Sequence, residues 1–211
     1  MKITHFFALI LVNLILILSS SCVSLSGFQT GKTLEKNQVA LSASANVMGV
    51  GEGDGGIPLL EVGVRYGVVE KLDLGLRMSN FGAALFDLKY QLAGDKESKT
   101  AFAIGAGVGS ALLRVETDDD RNGANFNLHV PLYASYHPKE NLSLYLSPRY
   151  IYFNDDVFDI TVTDNAASSF FGGNVGVLFG KDFQFGVDAG FFGTDRNDFI
   201  FQIGIGVVGK I

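Results

Sequence analysis

The chain has 211 residues, 47% of them hydrophobic and 18% charged, with 26 glycines, 18 phenylalanines, a single cysteine and a formal net charge of −6. That composition excludes disordered, collagen-like and disulfide-stapled classes and fits a single domain. The acidic balance excludes nucleic acid as the expected partner, since phosphate backbones select basic surfaces.

In chain order, Lys2 comes first, followed by an apolar run over residues 6–18 interrupted only by Asn13, and then Ser19, Ser20 and Ser21 before Cys22. The run falls short of the roughly 20 apolar residues that a membrane-crossing helix needs, and it has the layout of a secretory signal. Its end resembles the cleavage box of bacterial lipoproteins, with the departure that Leu18 stands four residues before the cysteine rather than three. The resemblance implies removal of residues 1–21, lipidation of Cys22 and lipoprotein-processing machinery as a partner. Residues 22–36, which include the polar, glycine-punctuated stretch SLSGFQTGKTLEK, are predicted to be a lipid-anchored tether, and residues 37–211 the folded domain.

From residue 38 onward period-two alternation replaces any helical period. Ten strands are predicted, over residues 38–48, 57–68, 72–79, 83–92, 100–115, 124–136, 142–153, 169–180, 183–192 and 198–208. In the second, Leu60, Val62, Val64 and Tyr66 alternate with Glu61, Gly63, Arg65 and Gly67; in the third, Leu72, Leu74, Leu76 and Met78 alternate with Asp73, Gly75, Arg77 and Ser79. One face is apolar and the other polar or small. A lipid-embedded barrel turns the apolar face outward, whereas a soluble barrel binding a hydrophobic ligand turns it inward; alternation alone leaves both open.

The connections favour the first. Joins at residues 69–71, 94–99, 137–141 and 180–182 are short and lysine-bearing, while those at 49–56, 79–82, 116–123, 154–168 and 193–197 are mostly longer and more acidic. Short periplasmic turns alternating with longer outward loops are the layout of outer-membrane barrels. The recurring units EKLDLGL, KENLSLYL and GKDFQFGV resemble the turn-and-strand hairpins of small bacterial outer-membrane β-barrel proteins, though the chain ends in Ile211 and not in the phenylalanine that many of them carry. The resemblance implies an all-β, closed antiparallel up-and-down barrel, of ten strands with eight or twelve as alternatives. It also implies outer-membrane lipid and the barrel-assembly machinery as partners. With ten strands both chain ends fall on the periplasmic side, so Cys22 is expected beside the inner leaflet.

The polar face supplies the candidate site. Glu61, Arg65, Asp73 and Arg77 are expected to form a salt-bridge ladder or to line a polar path, because buried charges must pair. His129, Tyr133, Tyr145, Arg149 and Asp188 join them inside, and Tyr133, Tyr145, Arg149 and Tyr152 are expected to narrow the lumen near Gly107. An acyl-modifying enzyme would need a serine such as Ser110, Ser135 or Ser147 beside His129, but no distinctive spacing marks one, so no catalysis is expected. Asp118, Asp119, Asp120, Asp155 and Asp156 lack the spacing of a calcium-binding loop; no metal or cofactor is expected, and the acidic loops are candidate contacts for an extracellular partner. Three readings result: a lipid-anchored barrel with a structural or surface-interaction role, a narrow pore or transporter for a small polar or amphipathic solute, or a periplasmic lipoprotein barrel holding a hydrophobic ligand.

Overall fold

Alternating apolar and polar or glycine residues, broken by turn residues, fold into long antiparallel strands. The computed structural model describes residues 25–50, 56–79, 83–111, 125–153, 169–195 and 199–211. Ten strands follow one another: β1 Val39–Val50, β2 Ile57–Val69, β3 Leu72–Ser79, β4 Ala84–Ala93, β5 Thr100–Ala111, β6 Asn125–Lys139, β7 Leu142–Phe153, β8 Ser169–Gly180, β9 Phe183–Thr194 and β10 Phe199–Lys210. Each pairs with its sequence neighbours, and β1 pairs with β10 from Ala40↔Lys210 to Val50↔Ile200, so the sheet closes into an up-and-down barrel. Closure leaves no sheet edge, which is what a strand wall inside hydrocarbon requires.

The tight connections sit at one end. Lys71 takes φ 65° between β2 and β3, Gly94 takes φ 90° just after β4 and Gly180 takes φ 120° at the last position of β8, which are turn conformations. Between β4 and β5 the Asp95 carboxylate accepts hydrogen bonds from the Ser98 hydroxyl (2.7 Å) and from the Ser98 and Glu97 amides (2.6 and 3.0 Å). Those donors hold its pKa below the ordinary aspartate value. The C-terminus belongs to this end too, because Ile211 and Val39 exchange backbone hydrogen bonds at 2.8 and 3.2 Å.

Outside, the wall is apolar. A band including Val62, Leu88, Val130, Leu146, Val175 and Ile203 is exposed along the middle of the strands. Tyr66, Tyr90, Tyr136 and Phe183 ring the turn end, and Phe126, Tyr150, Tyr152 and Phe171 ring the opposite end. An outward apolar band between two aromatic girdles is the surface of a membrane-spanning barrel. The soluble alternative, with its apolar face turned inward, is excluded by this orientation.

The expected ten-stranded fold is therefore the observed one, with a local difference in β6. β6 runs to Lys139 rather than stopping at 136, because an irregularity in its pairing with β7 between Tyr136 and Lys139 absorbs His137 and Pro138; His137 lies in a strand and not in a turn. The expected fifth-strand residues 112–115 lie outside the described residues, as do the signal, Cys22 and most of the acidic outward connections, including the five aspartates named above.

Candidate functional site

The lumen is the candidate site, and two polar clusters line it. On the β2–β4 wall, Arg65 bonds both Asp73 and Asp87. Arg77 lies 3.7 Å from Asp87, and Lys89 lies 3.6 Å from Asp73 and 5.5 Å from the Tyr133 ring centroid. Across the barrel, Asp188 accepts hydrogen bonds from the Tyr145 hydroxyl (2.7 Å), Asn174 (2.8 Å) and Gln202 (3.3 Å). Gln202 also donates to Asn46 at 3.1 Å, tying the cluster to β1. Four acids, Glu61, Asp73, Asp87 and Asp188, thus stand against four cations, Arg65, Arg77, Lys89 and Arg149, all facing inward.

Of the residues expected inside, all but Tyr152 face inward. Glu61, Asp73, His129, Tyr133, Tyr145, Arg149 and Asp188 are buried, and Arg65 and Arg77 are nearly so. Two details differ from expectation. Glu61 does not join the ion-pair ladder; it accepts the Ser26 hydroxyl. Tyr152, one residue out of phase with Ile151 and Phe153, points to the lipid face, 42% exposed. The ladder itself includes Asp87 and Lys89 of β4, which the candidate set omits although the alternation of Leu85, Asp87, Lys89 and Gln91 with Phe86, Leu88 and Tyr90 marks them by the same rule.

Among the described residues no serine completes a hydrolytic set with His129, whose ring bonds Asn127 at 2.9 Å. Ser110 is exposed on the outer face. Ser135 pairs with His137 at 2.9 Å, and the other nitrogen of that ring meets Ser143 at 2.8 Å, a hydroxyl where a triad would hold a carboxylate.

The main departure from expectation is what fills the lumen. Residues 25–36, read from sequence as a periplasmic tether, run through the inside of the barrel. Leu25 is 1% exposed and packs in a cluster with Met48, Leu59, Ile151, Phe153, Phe170, Phe192 and Ile200. The Ser26 carbonyl accepts from Arg77 (2.9 Å) and Arg149 (3.3 Å). Phe28 packs with Tyr145 and Leu178, and its ring lies where a Cβ at Gly186 or Gly206 would approach within 3.1 and 3.0 Å. Farther along, Lys89 donates to the carbonyls of Thr30 (3.3 Å) and Lys32 (2.9 Å). The Gly31 amide donates to Ser135 (3.0 Å), the Thr33 amide to Gln91 (2.8 Å) and the Leu34 amide to Asp73 (3.0 Å). Wall cations thus meet segment carbonyls and wall acceptors meet segment amides, so the segment is held mainly through its backbone. Gly27 fits because a Cβ there would stand 2.6 Å from both Asn174 and Asp188, and a Cβ at Gly31 would collide with the Ala101 carbonyl.

At Asn37, with φ 67°, the chain turns out of the lumen into β1. Asparagine tolerates this left-handed conformation better than most residues. The turn end opens as a vestibule of about 890 Å³ lined by Lys32, Lys89, Lys96, His137, Lys181 and Lys210 among others. Higher in the lumen a cavity of about 20 Å³ lies between Ser26, Gln29, Glu61 and Arg77.

No family model and no curated protein matches the chain. Among solved structures, it is similar to the N-terminal β-barrel domain of OprF from Pseudomonas aeruginosa (12% identity, 83% of this chain and 99% of that one, TM-score 0.43). It is similar also to the translocator domain of the autotransporter NalP from Neisseria meningitidis (11%, 85% and 90%, TM-score 0.45). A third is the outer-membrane protein OprG from P. aeruginosa (11%, 85% and 99%, TM-score 0.40). On its closed wall and apolar belt, this chain has the architecture of an outer-membrane β-barrel.

Proposed function

We propose that this protein is a narrow outer-membrane pore whose bore is filled by its own N-terminal segment, so that the polypeptide, and not a solute, is what occupies the passage. The observation that carries this reading is the run of wall-to-backbone hydrogen bonds from Ser26 to Leu34. A purely structural barrel can fill its interior with wall side chains; this one leaves a polar bore as wide as one extended peptide. While the segment is in place the protein conducts no ions.

The test is a bilayer recording of the full chain beside a chain lacking residues 25–36. The full chain is expected to be silent and the deletion to conduct. Silence in both, with the deleted barrel still showing heat-modifiable gel migration, would leave the structural or surface-interaction reading in its place. A lipid anchor at Cys22 belongs to the same proposal, supported by the lipoprotein-like box; labelled palmitate is expected to enter the native chain and not Cys22→Ser.

A further inference from the structure

The segment has a direction, and the direction carries an inference. Leu25 packs against Met48, Leu59, Phe153 and Ile200, residues within three positions of where β1, β2, β7 and β10 meet the longer connections. Glu35 is at the other end: its carbonyl lies against Gly67, and its carboxylate pairs with Lys96 at 2.8 Å in the tight turn after β4. Between these points the wall partners descend in order, from Arg77 near the long-connection end of β3 to Asp73 near its turn end. Ten residues of extended chain reach about 33 Å, enough for the roughly 25 Å apolar band of such a barrel. The C-terminus is fixed at the turn end by the bonds between Ile211 and Val39.

We propose that the mature N-terminus leaves the barrel on the long-connection side, opposite the C-terminus, and is presented at the cell exterior. Cys22 is three residues upstream of Leu25, at most about 11 Å of chain, so a chain leaving on that side would carry it there and not to the inner leaflet. The assignment of the exterior rests on the outer-membrane reading above; the threading itself rests on the lumen contacts alone.

Three full-length tagged chains test it in intact and permeabilised cells: an epitope between Ser24 and Leu25, one at Asp119 in the connection between β5 and β6, and one after Ile211. Antibody is expected to reach the Ser24 and Asp119 tags equally well before and after permeabilisation, and the C-terminal tag only after. A Ser24 tag that behaves like the C-terminal tag while Asp119 remains accessible overturns the threading and leaves the outer-membrane reading standing. An Asp119 tag hidden in intact cells overturns the orientation and this proposal with it. If the Ser24 insertion abolishes heat-modifiable migration, Ser24→Cys in a Cys22→Ser chain with an ordinary cleavable signal replaces it. Labelling by a membrane-impermeant maleimide in intact cells supports the proposal, and labelling confined to permeabilised cells, or none in either, overturns it.

Discussion

Asp87 shows how much a single carboxylate carries in this lumen. It lies 2% exposed between Arg65 and Arg77, so replacing it with asparagine leaves two buried guanidinium groups short of their acceptor. Breaking a buried ion pair from one side costs about 3–5 kcal/mol. Asp87→Asn is therefore expected to lower the denaturant midpoint, read by loss of heat-modifiable migration in detergent, by far more than Glu140→Gln. Glu140 pairs with Lys181 at 3.1 Å in solvent, where such pairs contribute little. Asp95 gives a pH-dependent counterpart. Its folded-state pKa is depressed, so its contribution to the β4–β5 turn is present above about pH 3.9 and is lost as pH falls through the lower folded value. Hydrogen exchange at the Ser98 amide is expected to lose protection there and nowhere between pH 5 and 8.

At the scale of the element, the strands were legible and the lumen segment was not, for the same physical reason. Each strand presents one face to lipid and one to the interior, and that two-sidedness writes a period of two into the sequence. The extended segment is enclosed by wall on every side, apolar around Leu25 and Phe28 and polar along the rest, and is held mainly through its backbone, so its sequence carries no period; Leu25, Phe28 and Leu34 are too sparse to draw one. Glycines at 27 and 31 read as flexibility in a tether, whereas here they mark close approach to Asp188 and Ala101. The polar face of β2 and β3 was readable residue by residue, but the pairing of Glu61 with Ser26 was not, because its partner lay in the unpatterned stretch. Gly27→Val is expected to displace the segment by driving a side chain into Asn174 and Asp188. The check is bilayer recording, in which this variant should conduct like the chain lacking residues 25–36. Phe28→Ala removes the ring seated against Gly186 and Gly206 and should cost about 3–5 kcal/mol; its denaturant midpoint should fall while the barrel still forms.

For the whole molecule, the apolar exterior makes the wall an integral membrane body independently of any anchor. Without acylation, the Cys22→Ser chain carrying an ordinary cleavable signal is expected to resist alkaline extraction from membranes and to migrate differently before and after heating. Its release as a soluble folded protein would contradict the outward placement of residues such as Val62, Val175 and Ile203, all more than half exposed.

The pairing of β1 with β10 has a consequence for how this molecule comes into being. Residues 25–36 precede β1 in the chain and lie within the ring that the pairs Ala40↔Lys210 through Val50↔Ile200 complete. The stretch inside is nearest the N-terminus and the strand that completes the ring is the last, so the finished hoop encloses a thread that leads into its first strand. Once sealed, the thread can leave only lengthwise, and its continuation into β1 holds it from that direction. One cut between Asn37 and Val39 would change this: the barrel would keep all ten strands, and its contents would become a separate peptide, free to be drawn out.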